Sequence, residues 1–229
     1  MEAGQLRYAY EAEERADESL AIRATRRTLD VGVAVLVLLV ASPLLALIAI
    51  AVRIESRGPA IFRQRRVGRD EQVFVVHKFR TMRQDADEAP HREYVQQLIG
   101  GTAEKHKSQN GELFKLAVDD RVTRTGRLLR NTSLDEIPQL WNVIRGEMSL
   151  VGPRPIVPYE LEHYSSWYRE RFAVKPGLTG LWQVSGRNER TYAEMVELDV
   201  EYVRRRTVRL DCTILFKTIW VVLTRRGAA

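Results

Sequence analysis

The sequence predicts an α+β, helix-rich protein in which one membrane helix is joined to a domain that contains a small β-hairpin. Three observations support this class. Residues 31–52 form an apolar run without a charge. Residues 60–80 contain two β-like runs separated by turn residues. Amphipathic helical patterns recur over 121–150, 192–206 and 211–226.

The composition excludes several classes of protein. Apolar residues make up 45% and charged residues 29% of the chain, so most of it can bury a core, and ordinary Gly and Pro counts exclude collagen-like and low-complexity chains. The single cysteine, Cys212, excludes an intramolecular disulfide framework. The four histidines are scattered without metal-ligand spacing. A net charge of +6 favours a partner with phosphates, such as nucleic acid, a nucleotide or an anionic membrane surface.

Residues 23–58 are predicted to form the membrane segment. Its apolar run of 22 residues would measure roughly 33 Å as a straight helix, enough to cross a hydrocarbon core of about 30 Å. Ser42-Pro43 lies at the middle of the run and predicts a kink. Arginines flank both ends, and positive charge prefers the cytoplasmic side. A bent, re-entrant helix that enters and leaves by the same face satisfies both flanks; an ordinary spanning helix with a tolerated proline is the alternative.

The other segments divide the chain further. Residues 1–22 read as a polar tail or solvated helix, and residues 59–229 as the remaining domain. Within that domain, the hairpin of residues 60–80 turns at Gly68-Arg69-Asp70-Glu71, and residues 84–120 suggest a helix and a mobile loop. Residues 211–226 are too short to span a membrane, so they predict an interfacial helix or, alternatively, a buried core helix.

Asp135 and Glu136 are adjacent carboxylates just before an apolar helical stretch. The structural interpretation is a capping box formed by Ser133 and Glu136, although Pro138 disturbs that register. In either register Asp135 lies near a helix N-terminus, whose dipole keeps a carboxylate ionised and favours phosphate nearby. The functional interpretation is that Asp135 is a phosphoryl-accepting nucleophile and Glu136 holds Mg²⁺.

Other residues are suited to binding phosphate, each with a structural alternative. Arg154 lies between two prolines in GPRP and offers a planar fork for phosphate. Lys78 and Arg80 alternate along a predicted strand, so these two side chains would line one phosphate pocket or face water. Arg187 follows a glycine and could clamp a diphosphate. Asp199 falls on an apolar helix face, where it would be functional or paired with a buried arginine.

Four strings occur in order after the apolar segment, and together they resemble the bacterial sugar transferase family, the monotopic phosphoglycosyl transferases. The resemblance covers roughly residues 23–227. The strings are KFRTM, DDRVTRTGRLLRNTSLDEIPQLWNVIRGEMSLVGPRP, KPGLTGLWQVSGRN and LDVEYV.

The resemblance implies an enzyme that moves a sugar-1-phosphate from a UDP-sugar onto a membrane polyprenol phosphate and releases UMP, through a covalent aspartyl–phosphosugar. It implies a re-entrant helix broken at Ser42-Pro43 and a catalytic domain on the cytoplasmic face of the bacterial inner membrane, acting at the first membrane step of exopolysaccharide or glycoconjugate assembly. Asp135 falls on the family's nucleophile, and Glu136 on its residue for Mg²⁺ and proton handling, with both carboxylates expected at the metal. The family's other site positions fall on Lys78, Arg130, Arg154, Arg187 and Asp199.

Some properties stay open in the sequence. Residues 84–118 and the strings LWQVSGR and RRGA resemble larger relatives with an added N-terminal membrane bundle, so a naturally small member or a shortened form is expected. The sequence specifies neither the sugar nor the oligomeric state, and it is compatible with a homodimer. A membrane-anchored nucleic-acid-binding protein or a scaffold is the alternative. No nucleic-acid partner is expected, because the arginines flank apolar segments and Gly/Pro loops instead of forming aromatic-interleaved basic stripes.

Overall fold

The computed structural model describes residues 20–84, 86–87, 89–103, 105–108, 111–114 and 120–224. The predicted polar tail therefore lies outside the described residues up to position 19, and the first helix begins at Leu20. The helix-rich α+β class is confirmed, since long helices accompany three two-stranded sheets within these ranges.

Helix α1 (Leu20–Glu55) continues through Pro43 as a single helix, so the break expected at Ser42-Pro43 is not present. Pro43 has no N–H to donate to the carbonyl of Leu39, four residues earlier. The hydroxyl of Ser42 donates to that same carbonyl at 2.8 Å. The Ser-Pro pair therefore compensates its own missing hydrogen bond, which is how proline is tolerated in an apolar helix where water cannot replace the lost donor.

The N-terminal part of α1 is bound to the domain by polar contacts. Arg27 donates from its two Nη atoms to the carbonyls of Val143 and Ile144, both at 2.6 Å. The carboxylate of Asp30 accepts from the hydroxyl of Ser149 at 2.7 Å and from the N–H of Leu150 at 3.0 Å. These bonds join α1 to residues 143–150 of the domain, and so fix this end of α1 on it.

The C-terminal part of α1 is bound to the same domain by apolar packing. Ile48 and Val52 form a cluster with Phe79 and Leu129. Between the two attachment points the outward face of α1 is exposed and apolar, with Leu36, Leu39, Val40 and Leu47 more than half exposed. Within the described residues, α1 is the helix whose length and composition would allow it to cross a membrane.

The predicted hairpin is confirmed. Strands β1 (Ile61–Val67) and β2 (Val73–Phe79) pair antiparallel, and a short 3₁₀ turn at Arg69–Glu71 connects them. On β2, Val76 packs in the central core cluster, and Phe79 packs in the cluster that contains Ile48 and Val52 of α1. The hairpin is thus anchored on both sides of Lys78, which lies between those two residues in the chain.

The polar region after the hairpin contains a helix, as predicted. Helix α2 covers Ala89–Ile99, and strands β3 (Lys105–Ser108) and β4 (Gly111–Phe114) pair antiparallel within the segment predicted to be a loop. Sequence reasoning missed these strands because short polar runs lack the alternation that marks a half-buried strand.

The central region carries the predicted helical elements. Helix α3 (Arg124–Thr132) is followed by a 3₁₀ segment at Leu134–Gln139 and then by α4 (Leu140–Arg145). Strand β5 (Ser149–Val151) pairs parallel with β6 (Gly177–Thr179). This small parallel pair brings the two Pro/Gly loops that follow β5 and β6 to one side of the 3₁₀ segment.

Two helices complete the domain. Helix α5 (Tyr192–Arg205) buries Val196 and Val200, as its periodicity predicts. Helix α6 (Val208–Thr224) buries Ile214 fully. Leu210 and Leu215 pack against the central core cluster, whereas Phe216, Ile219, Trp220 and Leu223 are more than half exposed. The alternative of a buried C-terminal core helix is therefore wrong, and α6 presents an amphipathic surface.

Candidate active site

The backbone around Ser133 presents the two adjacent carboxylates. Helix α3 ends at Ser133 in the left-handed conformation, with φ 57° and ψ 16°, and the chain enters the 3₁₀ segment. The side chain of Ser133 makes no capping hydrogen bond. The carboxylate of Glu136 instead accepts from Lys78. The capping-box interpretation is therefore wrong: the N–H of Ser133 closes the end of α3 by donating to the carbonyls of Leu129 and Arg130, but neither the Ser133 nor the Glu136 side chain caps the segment that follows.

Glu136 is held in an ion pair between two elements. Its Oε1 lies 2.9 Å from Nζ of Lys78 on β2 and 3.6 Å from Nη1 of Arg154 in the loop after β5. Burial alone would raise the pKa of Glu136, but the positive charges of Lys78 and Arg154 outweigh it and lower the pKa to about 2. Glu136 is therefore an anion throughout the physiological pH range.

Asp135 has the opposite environment. Burial and the charge of Glu136 raise the pKa of Asp135 to about 6, against the opposing charges of Lys78 and Arg130. The helix dipole alone would favour the anion and lower the pKa of Asp135. Burial and the adjacent carboxylate of Glu136 raise that pKa instead. Because that pKa lies roughly one unit below pH 7, roughly nine-tenths of the Asp135 side chains are ionised there.

Two further arginines stand close enough to act on the carboxylates. Arg130 donates from Nε to the hydroxyl of Thr81 at 2.9 Å and opposes the rise in the pKa of Asp135. Arg187 donates from Nε to the carbonyl of Gln183 at 3.2 Å and helps to lower the pKa of Glu136. Arg187 has φ 46°, a left-handed conformation that is uncommon for arginine and recurs at functional sites.

The structure does not place Arg80 with Lys78. Strand β2 ends at Phe79, so the alternation of side chains does not extend to Arg80. The guanidinium donates to the main-chain carbonyls of Ser56 and Arg57, just after α1. Arg80 therefore ties the end of α1 to the hairpin, and the prediction that it lines the phosphate pocket is corrected.

Asp199 is also removed from direct contact with a ligand. Its side chain is 1% exposed and forms a buried ion pair with Arg171. The same guanidinium donates to the hydroxyl of Tyr164 and to the carbonyl of Arg154. The predicted substrate-binding role of Asp199 is corrected to the structural alternative, a buried Asp–Arg pair that acts on the site through the main chain of Arg154.

Sequence reasoning missed two residues that line the recess beside Glu136. Neither Arg66 on β1 nor Gln139 in the 3₁₀ segment is among the predicted site residues. The usable signal was the alternation along β1, which places Gln64 and Arg66 on one face; Oε1 of Gln64 accepts from Nε and Nη2 of Arg66. The recess is lined by Arg66, Val76, Lys78, Glu136, Gln139, Arg154, Pro155, Gly177 and Leu178.

The charges of the site favour a polyanionic ligand. Two carboxylates, Asp135 and Glu136, are surrounded by cations that exceed them in number: Arg66, Lys78, Arg130, Arg154 and Arg187. A diphosphate would balance this excess through charge-assisted hydrogen bonds.

The donor set also fits Mg²⁺. This ion takes one or two protein carboxylates and completes its shell with water and substrate phosphates. The described residues contain no group of three or more His, Cys, Asp or Glu side chains placed to hold a metal by themselves. Asp135 and Glu136 would therefore bind Mg²⁺ together with a phosphate ligand.

Comparison with known proteins gives a family match over most of the chain. The family model described as bacterial sugar transferase matches residues 21–225. The undecaprenyl-phosphate galactose phosphotransferase of Salmonella typhimurium is 45% identical over 217 residues, which cover 93% of this chain and 44% of that protein. The exopolysaccharide production protein ExoY of Rhizobium meliloti is 43% identical, over 89% of this chain and 87% of its own. The UDP-glucose:undecaprenyl-phosphate glucose-1-phosphate transferase of Caulobacter vibrioides is 39% identical, over 91% and 73%.

The chain thus spans less than half the length of some relatives, such as the Salmonella protein, and most of the length of others. The match to the family model extends from α1 to α6. On this match, the chain belongs to the bacterial sugar transferase family.

Proposed function

We propose that the protein transfers a sugar-1-phosphate from a UDP-sugar to a polyprenol phosphate and releases UMP. The observation that carries the proposal is the pair of ionised carboxylates, Asp135 and Glu136, set among an excess of cations. The names of the Salmonella and Caulobacter relatives, which include undecaprenyl phosphate as the acceptor, support the same reaction.

In the proposed mechanism Asp135 is the nucleophile. A carboxylate oxygen of Asp135 forms a bond to the β-phosphorus, and the bond from that phosphorus to the bridging oxygen breaks, so that UMP leaves with the electron pair. An oxygen of the polyprenol phosphate then attacks the same phosphorus. The bond to Asp135 breaks, and the carboxylate is restored.

The other residues have electrostatic roles in this proposal. Lys78 and Arg154 neutralise the phosphate oxygens and hold Glu136 between them. A pKa near 2 makes Glu136 a poor proton donor at neutral pH, so we retain its role in binding Mg²⁺ and not the proton-handling role that the resemblance implied. Mg²⁺ at Asp135 and Glu136 would supply neutralisation of the diphosphate charge.

Direct attack by the acceptor is the competing mechanism. There, one carboxylate would deprotonate the polyprenol phosphate, which attacks the UDP-sugar without a covalent intermediate. A phosphate monoester has a second pKa of about 6 and is already largely ionised near pH 7. A general base has little to remove, which favours the covalent route.

The covalent route predicts ping-pong kinetics and a trapped adduct. With a labelled UDP-sugar, Mg²⁺ and no acceptor, acid quenching should leave labelled sugar phosphate on Asp135, identified by peptide mass spectrometry. Asp135→Asn should lose both turnover and the adduct because the amide is not nucleophilic. Glu201→Gln, on the exposed surface of α5, is the matched control and should retain both. Intersecting double-reciprocal plots without an adduct would exclude the covalent route.

The pH dependence of the first half-reaction should report Asp135. Because burial and Glu136 raise the pKa of Asp135 to about 6, protonation below that pH removes the nucleophile. UMP release in single turnover without acceptor should fall tenfold per pH unit below about pH 6. Omitting the acceptor matters, because its own phosphate titrates in the same range. A rate that stays constant down to pH 5 would contradict the assignment.

We also propose that α1 is a re-entrant helix and that the domain lies on the cytoplasmic face of the membrane. The support is that both ends of α1 contact one domain, through Arg27 and Asp30 at one end and Ile48 and Val52 at the other. A straight span would separate these ends by the bilayer. The exposed apolar surface of α6 suits an interfacial position beside it.

Cysteine labelling tests this topology. The single native cysteine, Cys212, is exposed and is first replaced by serine. Leu20→Cys and Ile54→Cys then place thiols at the two ends of α1, where the native side chains are 83% and 80% exposed. An impermeant maleimide should leave both unlabelled in intact cells and label both in inverted vesicles. Labelling of one position from outside would indicate a straight span.

A further inference from the structure

The loop that carries Arg154 is held by its carbonyl groups. Four consecutive carbonyls, from Pro153 to Ile156, accept hydrogen bonds from three separate parts of the described structure: β1, β6 and the segment that carries Arg171. The pairs are Pro153 with the N–H of Gly177 at 2.8 Å, Arg154 with Nη2 of Arg171 at 2.8 Å, Pro155 with Nη1 of Arg66 at 3.1 Å, and Ile156 with the N–H of Val67 at 2.8 Å.

This pattern follows from the sequence of the loop. Pro153 and Pro155 have no N–H, so the segment cannot pair as a regular strand. The outer carbonyls are met by main-chain donors. The inner two, those of Arg154 and Pro155, are met by guanidinium groups that reach in from Arg171 and Arg66.

Both guanidinium groups are themselves held in place. Arg171 is buried and bonded to the carboxylate of Asp199 and the hydroxyl of Tyr164. Arg66 donates twice to Oε1 of Gln64, at 3.1 and 2.6 Å. Neither arginine can move away from the loop without breaking these contacts, so each transmits a fixed position to it.

The side chain of Arg154 has little else to fix it. Its contact with Glu136 is long, at 3.6 Å, and the side chain is 38% exposed. The direction in which it points is therefore set by the main chain on which it stands. An arginine aimed at a phosphate needs that accuracy, because a displacement of about 1 Å in a catalytic group can cost about a hundredfold in rate.

From this geometry we infer that Arg66 and Arg171 are positioning residues that clamp the Arg154–Pro155 carbonyls and thereby aim Arg154 at Glu136 and the substrate phosphates. The inference rests on the proposed function for the role of Arg154. It also gives Asp199 a role, since the carboxylate of Asp199 holds Arg171 in place.

The test combines kinetics with hydrogen exchange on the full chain. Arg66→Met should lower kcat/KM for UMP release by about 10- to 100-fold. Arg66→Lys keeps the positive charge but loses the planar guanidinium, so its kcat/KM should lie between those of the wild type and Arg66→Met. Arg65→Met is the matched control: Arg65 is the adjacent residue on β1 and is exposed, so its removal should leave activity near wild type.

The same substitution is then made in an Arg154→Lys background. There, Arg66→Met should lower kcat/KM by less than about threefold, because the effects of residues that act through one another are not additive.

Hydrogen exchange measures the clamp without relying on activity. The amides of Val67 and Gly177 donate to the loop and should exchange faster in Arg66→Lys than in Arg65→Met. Unchanged exchange at these amides, or an equal fold-loss from Arg66→Met in the two backgrounds, would overturn the inference. No UMP release by the wild-type protein would instead contradict the proposed function, and the exchange comparison would still decide whether the clamp exists.

Discussion

The ion pair between Lys78 and Glu136 is the interaction on which the site depends. It joins residues 58 positions apart in the chain and so fixes the hairpin against the 3₁₀ segment. A buried carboxylate is unfavourable unless cations compensate it, and Lys78 with Arg154 does so for Glu136. Burial and the charge of Glu136 leave Asp135, one residue away, with a much higher pKa than that of Glu136. Two adjacent carboxylates thereby acquire different properties: Glu136 stays an anion, whereas the pKa of Asp135 lies near neutral pH. Different pKa values allow the two carboxylates of one site to have different roles.

Helix α1 is coupled to this site through α4. The 3₁₀ segment that carries Asp135 and Glu136 runs directly into α4, and Arg27 of α1 binds the last carbonyls of α4 at Val143 and Ile144. The positive guanidinium also complements the negative end of that helix. The position of the carboxylates relative to the apolar surface of α1 is therefore fixed by direct bonds, as the proposed transfer to a lipid acceptor would require.

Much of the site could be predicted from residue types, because the Asp135–Glu136 pair, Lys78 and Arg154 belong to local patterns with a clear chemical meaning. The hairpin followed from its alternation and turn residues. Local patterns failed where tertiary contacts decide. Arg80 lies one residue past the end of its strand, and whether Asp199 meets a ligand or another side chain depends on Arg171, which is distant in sequence. The alternation along β1 groups Arg66 with Gln64, but the position of Arg66 beside Glu136 is visible only once the chain is folded.

A double-mutant cycle between Lys78 and Glu136 tests the central claim most directly. The free energy of unfolding would be measured in detergent for the wild type, Lys78→Met, Glu136→Gln and the double variant. Each single variant leaves a partly buried charge without its partner, whereas the double variant removes both charges. The account predicts a coupling energy of about 1–3 kcal/mol, with the double variant more stable than the sum of the single losses implies. Losses that add to within about 0.5 kcal/mol would contradict the claim that this pair holds the site together.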